Sequence, residues 1–252
     1  MWTNLRMKLY GYILGLLFLS MAFESCKKTD GTVTPNPNLV GSCVISSTQV
    51  VVTDLHSQQI HSYVNSYQYD GQYRLVTVSD GQNNDVDHYQ YHGNDCDGDH
   101  NTTYHNSAQG YVLTSSDHDG TYVYSYDGNG YVQLEQFTDS TDVAHNYIRS
   151  YYWDNNDNLS YSVKQIQGQT TPITTTYSYY TDKAAQTLIP SNWLEGHMSS
   201  NLVKQAVVSS GSTVISSDSY SYVFDSQGKV AQYTILTAGQ KQTVYTLTYS
   251  CH

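Results

Sequence analysis

The densest run of side chains able to hold an ion or move a proton is Asn-Asp-Cys-Asp-Gly-Asp-His-Asn, residues 94–101. Asp95, Asp97 and Asp99 alternate as in the first half of a calcium loop. The second half departs from that pattern, because Gly98 is misplaced and Asn106 stands where the closing Glu belongs. The stretch therefore reads as a solvated hairpin turn, with Ca²⁺ as the alternative; no other cofactor is expected. His88, His92, His100, His105 and His118 crowd the same region. A spacing of four pairs His88 with His92 on a helix, but on a strand it separates them by about 13 Å, too far for one ion. Zinc would need a cross-strand arrangement, and a Cys96–His nucleophilic pair would need a geometry that spacing does not supply. The chain lacks G-x-S-x-G, H-E-x-x-H, the P-loop and G-x-G-x-x-G. With 3 Glu against 19 Asp, a glycosidase carboxylate pair is disfavoured. Trp153, beside Tyr151 and Tyr152, could stack on a sugar ring, although packing within a hairpin is the simpler reading. No residue is assigned a catalytic role, and the chain is expected not to be an enzyme.

The elements that must carry these residues are strands. There are 26 Tyr, each an apolar ring with a polar tip, suited to a half-buried sheet face. They recur with period 2: Tyr122, Tyr124 and Tyr126; Tyr220 and Tyr222 with Phe224; Tyr67 and Tyr69; Tyr89 and Tyr91; Tyr177 and Tyr179. An internal repeat reads aromatic, any residue, Asp, then an apolar residue five positions after the Asp. It occurs at Asp70, Asp127, Asp154 and Asp225, with Leu75, Val132, Leu159 and Val230 as the apolar positions. The physics is a hairpin: Asp caps its own turn, Gly130 or Gly228 supplies positive φ, and a core residue opens the next strand. Roughly 12 to 14 strands follow from such punctuation, with one helical turn at residues 182–188. The expected fold class is all-β, an antiparallel meander forming a rolled sheet or open barrel with Tyr inside; a β-sandwich is the alternative. A membrane-spanning barrel is not expected, because the positions alternating with Tyr are Ser, Thr, Gln, Asn and Asp.

The N-terminus reads as an address. Arg6 and Lys8 precede an apolar stretch from Leu9 to Phe23, too short for a membrane span and suited to a signal peptide. Cys26 follows Ser25 as in a bacterial lipobox, where the Cys receives lipid. The expected organisation is a signal peptide at 1–25, a flexible tether at 26–41 and a single β domain at 42–252. If Cys26 is lipidated, Cys43, Cys96 and Cys251 remain. First and last strands of a rolled sheet can be neighbours, so a Cys43–Cys251 disulfide is expected, with Cys96 free. The net charge is −11, and no Lys or Arg falls between Arg74 and Arg149, which excludes a nucleic-acid partner.

The segment from Ser25 to Lys28 with its polar tail resembles lipoproteins of the Bacteroidetes. The Y-x-Y-D turns at Asp70 and Asp127 resemble the YD-type repeat of secreted bacterial proteins. With Cys43 to Ile45, Tyr177 to Lys183, Gly196 to Leu202 and the closing Tyr245 to Cys251, the chain resembles the Tyr-rich lipoproteins of the DUF4595 family. That resemblance implies a porin-like β fold and an outer-membrane location, and it brings no catalytic residues. The expected role is a non-enzymatic envelope lipoprotein, a binding or scaffold module held to the membrane by its lipid, with a glycan, peptide or envelope protein as ligand. A hydrolase or accessory subunit of polysaccharide uptake and a calcium-stabilised adhesion domain are the alternatives.

Overall fold

The computed structural model describes residues 43–251 apart from 72, 94, 108–110 and 189–197. The expected signal peptide, Cys26 and the expected tether lie outside the described residues. The chain forms strands β1 (Cys43–Asp54), β2 (Ile60–Tyr69), β3 (Leu75–Asp80), β4 (Asp85–His92), β5 (Asp95–Gly98), β6 (Thr102–Asn106), β7 (Val112–Ser116) and β8 (Gly120–Tyr126). It continues with β9 (Val132–Asp139), β10 (Tyr147–Trp153), β11 (Leu159–Ile166), β12 (Ile173–Ala184), β13 (Asn201–Ser210), β14 (Thr213–Phe224), β15 (Val230–Thr237) and β16 (Lys241–Cys251). Each strand pairs with the next, and β1 pairs antiparallel with β16 from Cys43 opposite Cys251 to Asp54 opposite Lys241.

The all-β meander stands as expected, but the sheet is a closed barrel of 16 strands rather than an open or rolled sheet, and no sandwich forms. The additional strands are short and polar. Asp95–Gly98, read from sequence as a turn, is β5, and it pairs with β4 on one side and β6 on the other. Closure gives every strand two neighbours and abolishes edges, so a short polar strand is held by its ladders without an apolar run of its own. The expected helical turn at 182–188 is also corrected. β12 runs through Ala184, and Gln186 binds across the chain, donating to the Gly228 carbonyl at 2.8 Å and accepting from the Val230 N–H at 2.9 Å. The backbone of this segment pairs across to β13, with Ala184 opposite Asn201 and the Ala185 N–H donating to the Ser200 carbonyl at 2.9 Å.

Strand alternation separates the two faces cleanly. On β8, Tyr122, Tyr124 and Tyr126 are half-buried while Thr121, Val123 and Ser125 are exposed. On β14, Tyr220, Tyr222 and Phe224 alternate with exposed Ser219, Ser221 and Val223. On β2, Tyr63, Asn65, Tyr67 and Tyr69 alternate with exposed Ser62, Val64, Ser66 and Gln68. The apolar face points inward. One core cluster links Ile45, Tyr67, Leu75, Tyr89, Cys96, Tyr104, Leu202, Tyr233 and Leu247, from both flanks of the β1–β16 seam. A second joins Val132, Tyr151 and Leu159. Barrels of this strand number in membranes enclose water behind an apolar outer band. Here Tyr rings pack inside, and the outer wall carries Ser, Thr, Gln and His between exposed aliphatic residues such as Val64, Val123, Ile148 and Val214, with Tyr152 stacked on Tyr161.

The four Asp repeats are one turn, built four times at one end of the barrel. Asp127 Oδ1 accepts the N–H of Asn129 and of Tyr131, both at 2.9 Å. Asp154 does the same for Asn156 and Asn158, and Asp225 for Gln227 and Lys229. The residue three after each Asp has positive φ: Tyr73 59°, Gly130 87°, Asp157 59° and Gly228 78°. The apolar residue five after the Asp enters the core; Leu75, Val132 and Val230 are each 0% exposed. Its carbonyl, beside a register shift, is capped by an aromatic from the following hairpin. Tyr91 donates to Leu75 at 2.7 Å, and Trp153 to Val132, Tyr179 to Leu159 and Tyr249 to Val230 at 2.8 Å each. Each turn is therefore tied to the next antiparallel strand, which fixes register where a one-residue slip would turn the Tyr face outward.

Candidate functional site

At the turn-bearing end a cavity of about 440 Å³ opens beside the β1–β16 seam. Val44, Ser46 and Ser250 line it from the seam, and Tyr67, Tyr69, Asp70, Gly71 and Tyr73 line it from the end of β2 and the turn that follows. The local fold explains the placement. Tyr69 donates its hydroxyl to the Ile45 carbonyl at 2.8 Å, which leans its ring against the seam. Positive φ at Tyr73 directs the chain around the cavity rim. Asp70 is the lining carboxylate among the described residues. It accepts from the Arg74 N–H at 3.0 Å and Nε at 2.6 Å, and Arg74 lies 4.1 Å from the Tyr91 ring centroid. Asp70 is thus held in an ion pair with Arg74 and by its own turn. The cavity combines apolar ring faces with hydroxyls and a fixed charge, within the roughly 300–1,000 Å³ of ligand pockets.

A second constellation lies inside the wall. Glu135 on β9, Arg149 on β10 and Lys164 on β11 are cross-strand neighbours. Glu135 is 5% exposed, and both its oxygens are engaged. Tyr147 donates to Oε1, Tyr151 donates to Oε2, and Arg149 Nη1 is 3.1 Å from Oε2. Burial, with Glu135 next to it, pushes the Tyr147 phenol far above its usual range. Burial alone would weaken the Arg149 charge, but Glu135, Tyr151 and Tyr147 hold it well above its ordinary value. Lys164 Nζ sits 3.6 Å from the Tyr147 ring centroid, and burial together with Arg149 pushes it down to about 8. Both oxygens of Glu135 are engaged by partners on β10, so the group ties β9 to β10.

The residues singled out from sequence disperse. The Asp95 and Asp97 carboxylates stand on the outer wall, paired with His105 at 3.1 Å and His92 at 3.4 Å, and Asp99 takes His88 at 2.8 Å. They do not converge as calcium ligands. Among the described residues the metal-type groupings are Asp85 and Asp87 of β4 with His100, and Asp117, His118 and Asp119 within the β7–β8 turn, each with donor atoms within 4.8 Å. Three donors fall short of the roughly 6–8 oxygens calcium takes. Burial and then Asp85 raise the Asp87 carboxyl above its ordinary value. Cys96 is 1% exposed in the Tyr core, where burial pushes its thiol up to about 12, the opposite of an activated nucleophile. Tyr151 and Trp153 turn inward, while Tyr152 stacks outside on Tyr161 with ring centroids 4.3 Å apart. Cys43 and Cys251 meet across the seam with sulfurs 2.00 Å apart. Sequence reasoning missed Glu135 and its partners. The signal was parity: Glu135 shares a face with Phe137, and Arg149 with Tyr147 and Tyr151, so these charges had to point into the barrel.

No family model matches the chain, and no curated protein matches it. Solved structures do. The chain is similar to a porin-like protein from Bacteroides uniformis, with 16% identity and a TM-score of 0.58 over 81% of this chain and 98% of that one. It is also similar to a porin-like protein from Bacteroides vulgatus, with 13% identity and a TM-score of 0.56 over 82% of this chain and 98% of that one. At these identities the likeness is one of fold: both align over nearly their whole length with this barrel.

Proposed function

We propose that this chain is a non-enzymatic cell-envelope lipoprotein, related to the DUF4595 family, whose barrel binds a glycan in the Tyr67–Tyr69–Tyr73 cavity. The observation that carries the reading is the chemistry of that lining. Tyr faces suit the C–H faces of sugar rings, Ser46 and Ser250 offer hydroxyls, and Asp70 is neutralised by Arg74. Hydrolysis of a glycoside needs two carboxylates about 5–9.5 Å apart across the bond, one of them free to carry a proton. The lining described here offers a single, saturated carboxylate, which supports capture rather than cleavage.

Envelope placement rests on the signal-peptide pattern ending at Cys26 and on the fold shared with Bacteroides proteins. Cys43 lies at the same end as the cavity and the Asp turns, so a lipid on Cys26 would tether the barrel from its cavity end. The outer wall supports a barrel held beside the membrane rather than in it.

The binding test is an array of oligosaccharides followed by calorimetry on the best binder. Tyr73→Ala should weaken binding by about tenfold, as loss of one stacked ring does. Release of reducing sugar by the protein would replace this reading with the hydrolase. Protease shaving of intact cells then assigns the face: loss of the chain places it outside, and protection until lysis places it in the periplasm.

A further inference from the structure

Lys229 occupies an unusual place for a lysine. It follows Gly228 in the last Asp turn, its N–H is fixed by Asp225, and its side chain enters the barrel end, where it is 9% exposed. Its ammonium lies 3.4 Å from Cys43 Sγ and 3.7 Å from Cys251 Sγ. The nearest anion is Asp225 Oδ2 at 3.9 Å, and the Tyr249 ring centroid is 5.1 Å away. The two sulfurs differ in access. Cys43 is 5% exposed, whereas Cys251, near the chain end, is exposed.

We infer that the Cys43–Cys251 disulfide is a thiol-exchange site, with Cys251 as the position that accepts an incoming small thiol and Cys43 as the leaving sulfur. A thiolate attacks Cys251 Sγ, forming a mixed disulfide there, and the electron pair of the broken S–S bond passes to Cys43 Sγ. A second thiolate can release Cys251 by attacking the mixed disulfide. The balance is two external thiols oxidised to one disulfide while the protein disulfide becomes two thiols. Two physical terms point the same way. Exchange needs an approach to the attacked sulfur, and of the two cysteines Cys251 is the exposed residue and Cys43 the buried one; it is also faster when the leaving thiolate is stabilised. A buried ammonium beside Cys43 does that directly.

The consequence is local and readable. Val44 and Ser250, each the chain neighbour of one of the cysteines, line the cavity, so the seam that the disulfide closes forms one wall of it. The exchange itself stands apart from the glycan reading, since it rests on the seam alone.

The experiment treats the full-length protein, purified without reductant, with millimolar glutathione, quenches with acid and a maleimide, and maps both cysteines by peptide mass. Glutathione on Cys251 with Cys43 alkylated is the expected result. Glutathione on Cys43, or a disulfide that stays intact while a control disulfide is exchanged, overturns the inference. Lys229→Met should slow the exchange about tenfold, with Lys229→Arg within a few-fold of the parent. A folded Lys229→Met that reacts at the parental rate also overturns it, and if that variant does not fold, adduct position in the parent decides.

Discussion

Gly228 sits at φ 78°, and a Cβ built there meets no heavy atom within 4 Å. The cost of Gly228→Ala is therefore purely conformational, and it should destabilise by about 1 kcal/mol in a denaturant melt. Tyr73 and Asp157 hold the same conformation without being glycine, so the turn tolerates the strain where Asp and the flanking ladder enforce it. Lys164 makes a second prediction, because its amine is pushed down to about 8 from 10.5. Below that range both folded and unfolded chains carry the proton, and the burial cost stands in full. Between the two values the unfolded chain binds more protons, so stability rises with pH. Lys164→Met should gain stability at neutral pH relative to the parent, and that gain should shrink as pH rises toward about 10. The difference between the two proteins is the quantity to follow, since tyrosine ionisation at high pH is common to both. Glu135→Gln leaves Arg149 buried without its partner and should cost about 3 kcal/mol or more.

At the scale of elements, the strands were readable where Tyr and β-branched residues alternate. β8 and β14 announce themselves, and so do the Asp turns that precede β3, β9, β11 and β15. β5 was not readable, because Asp-Cys-Asp-Gly has neither propensity nor pattern; it is a strand because β4 and β6 flank it. The same placement separates the carboxylates that a calcium loop would bring together. On a strand, Asp95 and Asp97 share the outer face and are taken up singly by His105 and His92. EDTA is therefore expected to leave the melting temperature of this protein unchanged, whereas a calcium-stabilised domain would melt earlier. The aromatic caps on the Leu75, Val132, Leu159 and Val230 carbonyls were invisible from sequence for a different reason. A Tyr announces a buried face, but which carbonyl its hydroxyl meets depends on the register shifts between strands.

For the whole molecule, in-out alternation was legible and closure was not. Closure depends on the match between β1 and β16; Cys43 and Cys251 pointed to a meeting of the two strands, but no local pattern reports the full ladder between them. The cavity was illegible for the same reason, since Val44 and Ser250 come to it from β1 and β16 and Tyr73 from the turn after β2. Once closed, the barrel inverts the arrangement of a channel-forming one. Tyr rings such as Tyr233 and Tyr245, stacked with centroids 4.4 Å apart, fill the inner side, and hydroxyls and amides face out. On the reading proposed above, this porin-like fold serves as a Tyr-lined binding barrel rather than a pore. Planar-bilayer recording with the purified protein tests it most directly. The account predicts no stepwise conductance at any protein concentration that leaves the bilayer intact; reproducible unitary steps would contradict it.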